Sequence, residues 1–303
     1  MRKFMGLTRR NLLIYFKDVQ SVIFSMLTSI IVLALYLLFL KDTFVDSIEG
    51  AMQGLKQLVD MADVDMLANG LLLVGILSSA MITVPYNCLV TIVKDRECKI
   101  DYDISATPMK RWQIILSYFT ASTISSIVMA ALLLTVGMGF LASRGELYLT
   151  AGSIAAMYGI VLLGAVSSTA LFMLVVLFFQ SSSASSAFFG MLSAAAGFVI
   201  GAYIPISQFS SPVQTFCNLF PASGITVMFR SALLDGLLGH IDQEIGGVDQ
   251  GMFVESLKEV FSFRTRLFGD ELSLNWTVGY VLALVAVCVA AMALIYPKIY
   301  KRK

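Results

Sequence analysis

Hydrophobic residues in this chain form long uninterrupted blocks. Five windows contain no Asp, Glu, Lys or Arg, and they cover Val19–Leu40, Met66–Val93, Trp112–Ser143, Leu147–Phe229 and Leu272–Pro297. A helix needs about 20 apolar residues to cross roughly 30 Å of hydrocarbon. Each window is therefore long enough for one membrane-spanning helix, and the fourth, with 83 residues, must hold at least two.

The fourth window contains a polar break. The run Gln180–Ser183, with further serines at 185 and 186, predicts a turn between spans over residues 150–179 and 187–204. With one span in each other window, the pattern predicts six transmembrane helices. Because helices satisfy their own backbone hydrogen bonds in lipid, we expect an all-α membrane protein.

The segment Met1–Gln20 mixes basic and apolar residues ahead of the first span. Its basic stretch is too long for a cleaved signal peptide, and no small-residue cleavage site follows the apolar run. We expect residues 1–20 to form an amphipathic helix lying in the membrane interface.

The basic residues set the expected orientation. If both termini lie inside, the inner segments hold 14 of the 21 Lys and Arg residues and the outer segments hold 7. Cytoplasmic loops carry an excess of such residues. We therefore expect a multi-pass membrane protein with both termini in the cytoplasm.

Two outer segments show their own patterns. Over residues 41–65 the apolar positions recur at helical spacing, which predicts a short amphipathic helix; they are Val45, Ile48, Met52, Leu55 and Val59. A second outer segment, residues 205–271, ends in a similar pattern from Phe253 to Leu267.

The first part of residues 205–271 is apolar but interrupted by Pro212, Pro221 and Gly224. The two pieces are each too short to span, and a seventh span would place the basic C-terminal tail outside. We predict a re-entrant helical hairpin, which is tolerated when it is buried in protein or lines a cavity. Arg230 ends this hairpin, and its long side chain is expected to snorkel to the outer interface.

The low charge content and the positions of the cysteines and the histidine argue against a soluble protein, an enzyme or a metal-binding protein. Only 14% of the residues are charged, against roughly a quarter in soluble domains. The four cysteines show no metal spacing, and His240, the only histidine, falls in a polar outer segment. We predict no catalytic site, no metal site and no nucleic-acid partner.

The inner loop over residues 94–111 is dense in both signs of charge. Topology requires only basic residues, yet here acidic ones are interleaved, which favours docking onto a polar protein surface. The candidate docking residues are Lys94, Asp95, Arg96, Glu97, Asp101, Asp103, Thr107 and Pro108.

The run Ile92–Glu97, followed by Thr107-Pro108 and a basic pair, resembles the signature loop of type-2 ABC export permeases. Members often have Gly where this chain has Cys98. The resemblance extends over residues 1–303 as one transmembrane domain. Within the hairpin, Leu219-Phe220-Pro221 and the following Phe229-Arg230 are similar to drug-export members.

Several expectations follow from this resemblance, beginning with a location in a bacterial plasma membrane. The permease would be a dimer, of two identical or two homologous chains, and each half would dock a cytoplasmic ATP-binding-cassette subunit through residues 94–111. The chain has no G-x-x-x-x-G-K-[ST] motif, so ATP and Mg²⁺ would bind the partner. The dimer seam is expected along small residues of the fifth span; these are Gly190, Ser193, Gly197 and Gly201.

The function expected from these features is ATP-driven export of an amphipathic or hydrophobic compound, such as a drug, antibiotic peptide or lipid-like natural product. Two alternatives stay open. One is a secondary transporter, which the scarcity of ionisable residues in the spans disfavours. The other is a membrane anchor or sensor that recruits a soluble protein.

Overall fold

The structure is a computed structural model that describes residues 2–51, 59–246 and 249–299. Its elements in chain order are α1 (Arg2–Lys17), α2 (Val19–Leu35), a π-helical turn (Tyr36–Leu40), α3 (Lys41–Ala51), α4 (Met61–Glu97), α5 (Ile100–Ala106), α6 (Arg111–Ala142), α7 (Ala151–Val176), α8 (Ser182–Val199), a 3₁₀ turn (Ile206–Gln208), α9 (Ser211–Asn218), α10 (Pro221–Ile245), α11 (Met252–Val260), β1 (Thr265–Leu267), β2 (Asp270–Leu272) and α12 (Leu274–Ile299).

Six helices in the described part are long and apolar enough to cross a membrane: α2 with its π-helical turn, α4, α6, α7, α8 and α12. The predicted all-α membrane fold is confirmed. The ends of the spans differ from the prediction. Helix α4 runs from Met61 to Glu97, so the first four residues of the predicted inner loop belong to its last turn. Helix α8 begins at Ser182, five residues earlier than predicted.

Helix α4 forms the centre of the bundle. It packs against α2, α6, α7, α8 and α10. In its most apolar 18-residue window 89% of the residues are buried, against 17% for α12, 22% for α8 and 28% for α2. A helix that is apolar all round is expected at the core of a bundle. Helices α2, α8 and α12 therefore present most of their surface outwards.

Small polar side chains connect α4 to its neighbours. The hydroxyl of Ser79 on α4 and the hydroxyl of Ser29 on α2 share a hydrogen bond of 2.8 Å. Thr83 donates to the Ser25 carbonyl, and Ser122 of α6 donates to the Pro85 carbonyl over 3.0 Å. In a membrane such interhelical bonds hold helices together without an apolar driving force.

The first helix has a polar face against the bundle and an apolar face away from it. The buried residues of α1 are Thr8, Asn11 and Tyr15, while Leu13 and Phe16 are exposed. This sidedness suits a helix lying along the membrane surface. Helix α3 continues α2 through the π-helical turn and buries Ile48. Met52 and Leu55, which belong to the predicted helical pattern, lie outside the described residues.

Two prolines begin helices in the predicted hairpin. Pro212 lies in the first turn of α9, and Pro221 is the first residue of α10. Proline favours the first helical position, where no intrahelical N–H bond is lost. Gly224 stays helical and contacts Thr277 and Val281 of α12. The predicted break at Gly224 is therefore wrong: the second arm is one helix of 25 residues, about 37 Å long.

Helix α10 runs antiparallel to α4, from the middle of α4 to its first turn. Ile225 lies beside Met81 at Gly164 of α7, and Leu234 fills the space at Gly70. Farther along, His240 reaches Asp63. The helix thus starts about halfway along its neighbours and returns to the end of the bundle where α11 lies, which is the course expected for one arm of a re-entrant hairpin.

Arg230 is buried, so the prediction that it snorkels to the interface is wrong. Its guanidinium donates to the Gly201 carbonyl over 2.8 Å and to the Ser262 carbonyl over 3.1 Å. These carbonyls follow the ends of α8 and α11, where unpaired carbonyls carry partial negative charge. The side chain therefore joins the α8 and α11 ends to α10.

The end of the second outer segment is not the helix that the pattern predicted. Helix α11 stops at Val260, and strands β1 and β2 form a two-stranded antiparallel hairpin in which Arg266 pairs with Glu271. The hydrogen bond from Arg266 holds the pKa of Glu271 below its ordinary value. Leu267 thus lies on a strand, beside ion pairs that Arg264 and Arg266 form with Glu271.

Two glycines of α10 make a matched test of its packing. A Cβ at Gly236 would lie 2.3 Å from the Tyr148 carbonyl oxygen, whereas one at Gly239 would meet nothing within 4 Å. We expect Gly236→Ala to destabilise the protein by about 1–3 kcal/mol through the backbone clash. Gly239→Ala should stabilise it by up to about 1 kcal/mol through helix propensity. Thermal unfolding of both variants in detergent checks this, and equal midpoints would contradict the placement of Tyr148.

Arg230 offers a second test. In Arg230→Lys the ammonium keeps the charge but loses the planar fork that spans two carbonyls, and we expect a loss of about 1–3 kcal/mol. The exposed Arg264→Lys serves as the control and should stay within about 0.5 kcal/mol. Chemical unfolding in mixed micelles measures both. An Arg230→Lys protein as stable as the control would show that the bonds to Gly201 and Ser262 contribute little.

Candidate functional site

The site is built around α5, which connects the ends of two long spans, α4 and α6. The chain leaves α4 at Glu97 and turns through Lys99, whose φ of 62° is left-handed. Thr107 then caps α5 by donating to the Ile104 carbonyl over 2.6 Å. Glycine tolerates a positive φ best. The demanding position is Lys99 and not Cys98, whose φ is −80°, so cysteine needs no special conformation here.

The outer face of α5 carries both acidic and apolar groups. No residue of the helix is buried. Tyr102 is 70% exposed and Ile100 is 37% exposed, while Asp103 is exposed beside them. Tyrosine presents a large contact area with a polar tip, which is typical of residues that anchor protein interfaces.

Asp95 was predicted to contribute to docking, but the structure places it inside the protein. Arg10 of α1 donates two hydrogen bonds of 2.6 Å to its two carboxylate oxygens. The Tyr118 hydroxyl of α6 donates a third, and Asp95 is only 3% exposed. The hydrogen bond with Asp95 raises the pKa of Arg10 above its ordinary value. Asp95 therefore fastens α1, α4 and α6 together at the base of α5.

The next two charged residues join the α7–α8 turn. Arg96 donates to the carbonyls of Leu177 and Phe179, over 3.1 Å and 2.5 Å, just past the end of α7. Glu97 accepts a hydrogen bond of 2.9 Å from the backbone N–H of Ser182, at the start of α8. A cation at a helix C-terminus and an anion at an N-terminus are both favourable.

The predicted docking residues thus divide into two sets. Asp95, Arg96 and Glu97 make hydrogen bonds within the chain, and the burial of Asp95 corrects the prediction that it faces a partner; Arg96 is half-buried and Glu97 is exposed. The others lie on the surface of the loop, with Asp101 half-buried and the rest exposed; these are Lys94, Asp101, Asp103, Thr107 and Pro108.

Sequence reasoning missed the partners of these charges and the exposed Tyr102. Arg10 lies 85 positions from Asp95, and nothing in the local pattern links them. The one available signal was the spacing of Thr8 and Asn11, two polar residues three positions apart whose side chains share one face of α1 and turn inwards.

The stripe of small residues in the fifth span does not form one continuous face. Gly197 packs against the ring of Tyr203, where a Cβ would come within 2.3 Å, and Gly201 lies beyond the end of α8 with a φ of 66°. Gly190 is exposed and Ser193 is half-buried. The prediction of a four-residue seam is therefore wrong for Gly197 and Gly201, whose small size serves close contacts within the chain.

The buried carboxylate gives a direct test. Asp95→Asn removes the charge that Arg10 pairs with, and we expect a loss of about 1–3 kcal/mol, reduced by the partial exposure of Arg10. Asp103→Asn on the exposed face of α5 should change stability by less than about 0.5 kcal/mol. Thermal unfolding in detergent distinguishes them; an Asp95→Asn protein that matches Asp103→Asn would contradict the structural role of the pair.

Of three comparisons with known proteins, the one with protein families finds a match. A comparison with curated proteins and one with solved structures each return no match. The family model described as ABC-2 family transporter protein matches residues 47–296. The match covers most of the chain, from α3 into α12. The chain is therefore a multi-pass membrane permease that belongs to the ABC-2 transporter family.

Proposed function

We propose that this permease is the membrane subunit of an ATP-driven exporter. In this proposal a cytoplasmic ATP-binding-cassette subunit docks on α5. Two permease chains together enclose the path of an amphipathic cargo. The observation that carries the proposal is α5 itself. A seven-residue helix with no buried residue connects the end of α4, the central span of the bundle, to the start of α6.

The surface of α5 suits a protein partner. Tyr102 and Ile100 offer apolar contact area, while Asp103 and Lys94 offer charges of both signs. Interfaces typically combine such an aromatic anchor with a polar rim that sets orientation. A lipid surface is a poorer fit, because α5 carries two acidic residues in its first turn.

The contacts at the base of α5 would carry movement into the spans. Asp95 connects this base to α1 and α6, and Arg96 and Glu97 connect it to the α7–α8 turn. A displacement of α5 by a nucleotide-driven partner would therefore move several helices as one body. Rigid-body movement of this kind is how such two-state transporters change access.

The proposed cargo path lies between two chains, since α4 fills the centre of the one described here. Helices α2 and α8 bury only 28% and 22% of their apolar windows, so a second copy could cover them. A cavity of about 330 Å³ opens near the α5 end of both helices. Its lining combines aromatic rings of Phe24 and Phe189 with the polar groups of Ser21 and Asn87, which suits an amphipathic compound.

Purification followed by reconstitution tests this function. The full-length chain is purified from the membranes of its host with its partner subunits, and the complex is placed in proteoliposomes with an amphipathic fluorescent dye. We expect ATP hydrolysis and ATP-dependent dye movement that both require the co-purified ATPase. Dye movement that persists without the ATPase and follows an ion gradient would instead indicate a secondary transporter. A chain that binds no ATPase would favour the membrane anchor.

Tyr102 gives the sharper prediction. If it anchors the ATPase, Tyr102→Ala should weaken subunit association about 30-fold, the effect of losing roughly 2 kcal/mol at an interface hot spot. Phe268→Ala is the matched control, because this ring is 82% exposed at the other end of the bundle. Association is measured by titrating labelled ATPase onto permease in nanodiscs. Equal effects of the two substitutions would exclude α5 as the docking element.

A further inference from the structure

The lone histidine lies in a cluster of polar groups and not in the exposed outer loop that the sequence predicted. His240 is within α10, and its Nε2 atom is 3.6 Å from an Asp63 oxygen and 3.5 Å from a Glu244 oxygen. The three ligand atoms all lie within 4.8 Å of one another. We propose that Asp63, His240 and Glu244 bind a divalent transition-metal ion of the Zn²⁺ class, which locks the outer end of α10 to α4.

The distances favour a shared ion over direct hydrogen bonds. Hydrogen bonds between nitrogen and oxygen span about 2.7–3.2 Å, so contacts of 3.5 Å and 3.6 Å are too long. Zinc lies about 2.0–2.2 Å from nitrogen and oxygen ligands, and tetrahedral angles then place neighbouring ligand atoms about 3.4 Å apart. The two nitrogen–oxygen separations match that spacing, and the third pair of ligand atoms lies within 4.8 Å.

The ligand types indicate which metals fit. One imidazole and two carboxylates suit Zn²⁺, Co²⁺ or Mn²⁺, whereas Mg²⁺ and Ca²⁺ prefer oxygen ligands alone. His240 and Glu244 are one helical turn apart on α10, so both side chains project from the same face. Asp63 comes from the first turn of α4. Three protein ligands leave a fourth position for water, as in open zinc sites.

The surroundings hold the imidazole in place. The Tyr148 ring stacks on the His240 ring with centroids 4.1 Å apart and an interplanar angle of 18°. Gly236, one turn earlier on α10, lets the Tyr148 backbone approach this closely. Tyr148 itself adopts a φ of 48°, which is unfavourable for a residue with a Cβ.

The charge at the cluster also favours a cation. The side chains are 14% exposed for Asp63, 30% for His240 and 31% for Glu244, so an ion could reach them from solvent. In the described part of the chain no Lys or Arg forms an ion pair with either carboxylate. A divalent cation would balance the negative charge of the two carboxylates.

A bound ion would join helices that otherwise meet through apolar contacts. Helix α10 contacts the first part of α4 at Leu234 and Gly70, and the cluster lies beyond that contact. The ion would therefore hold the returning arm of the hairpin closed against α4. This inference concerns the isolated permease and does not depend on the proposed export function.

The test measures Zn²⁺ binding by the purified full-length chain, which is purified through an affinity tag that contains no histidine. The chain carries Cys98→Ser, because Cys98 is an exposed thiol that could bind Zn²⁺ itself. We expect one site per chain by calorimetry and a higher thermal midpoint with Zn²⁺ but not with Mg²⁺. His240→Gln should weaken binding by more than about 100-fold, since losing a ligand exceeds the 10–100-fold effect of an outer partner. Asp235→Asn, an exposed carboxylate of the same helix, is the control and should bind normally.

A second measurement keeps the test decisive if a variant folds poorly. His240 is the only histidine, so carbethoxylation of the unaltered chain reports on one imidazole. Zn²⁺ should protect it, and Co²⁺ should give visible absorption bands of a nitrogen–oxygen site. Absence of Zn²⁺ binding by the folded chain, or binding and protection unchanged in Glu244→Gln and Asp63→Asn, would overturn the proposal.

Discussion

The buried carboxylate of Asp95 sets the geometry on which the α5 end of this permease depends. A carboxylate removed from water is strongly disfavoured unless hydrogen bonds replace its hydration. Here Arg10 and Tyr118 supply them, and they come from two helices that are far apart in sequence. Because apolar packing alone tolerates sliding, this polar contact is what gives α1, α4 and α6 one relative position. Helix α5 starts five residues after Asp95 and takes its direction from that position.

A buried charge also needs hydrogen bonds at the α11 end of the bundle, where the charge is a cation. Arg230 has no carboxylate partner among the described residues, and two backbone carbonyls take that place. They belong to residues just beyond the ends of α8 and α11. Burial of this cation is thus tolerated because its hydrogen bonds replace hydration and satisfy two backbone acceptors at the same time.

The number of spans could be read from the sequence because one constraint governs it. Lipid forces each crossing to be a helix of about 20 apolar residues, and uncharged windows record that length directly. The ends of spans were less predictable. Lys94 to Glu97 are charged, yet they continue α4 because each finds a partner at the membrane boundary, and such partners leave no local pattern.

The candidate site was predictable in place but not in detail. The mixed charge of residues 94–111 predicted its place in the chain, while the division between inward and outward charges depended on contacts across 81 to 85 positions. Gly197 shows the same limit, since its spacing suggested a helix seam and its real neighbour is Tyr203. His240 carried no signal, because Asp63 meets it only after α10 folds back along α4.

The two ends of the bundle are held with unequal strength, and this bears on how such a permease would move. At the α5 end, charge-assisted hydrogen bonds of 2.5–2.9 Å join five helices into one body. At the α11 end, the returning arm α10 meets α4 through apolar contacts and through carboxylates and an imidazole that lie too far apart for hydrogen bonds. A force applied at α5 would therefore move the joined helices together, while the contact between α10 and α4 offers less polar restraint. On the proposed function, opening would occur at the α11 end, and an ion bridging Asp63, His240 and Glu244 would oppose it.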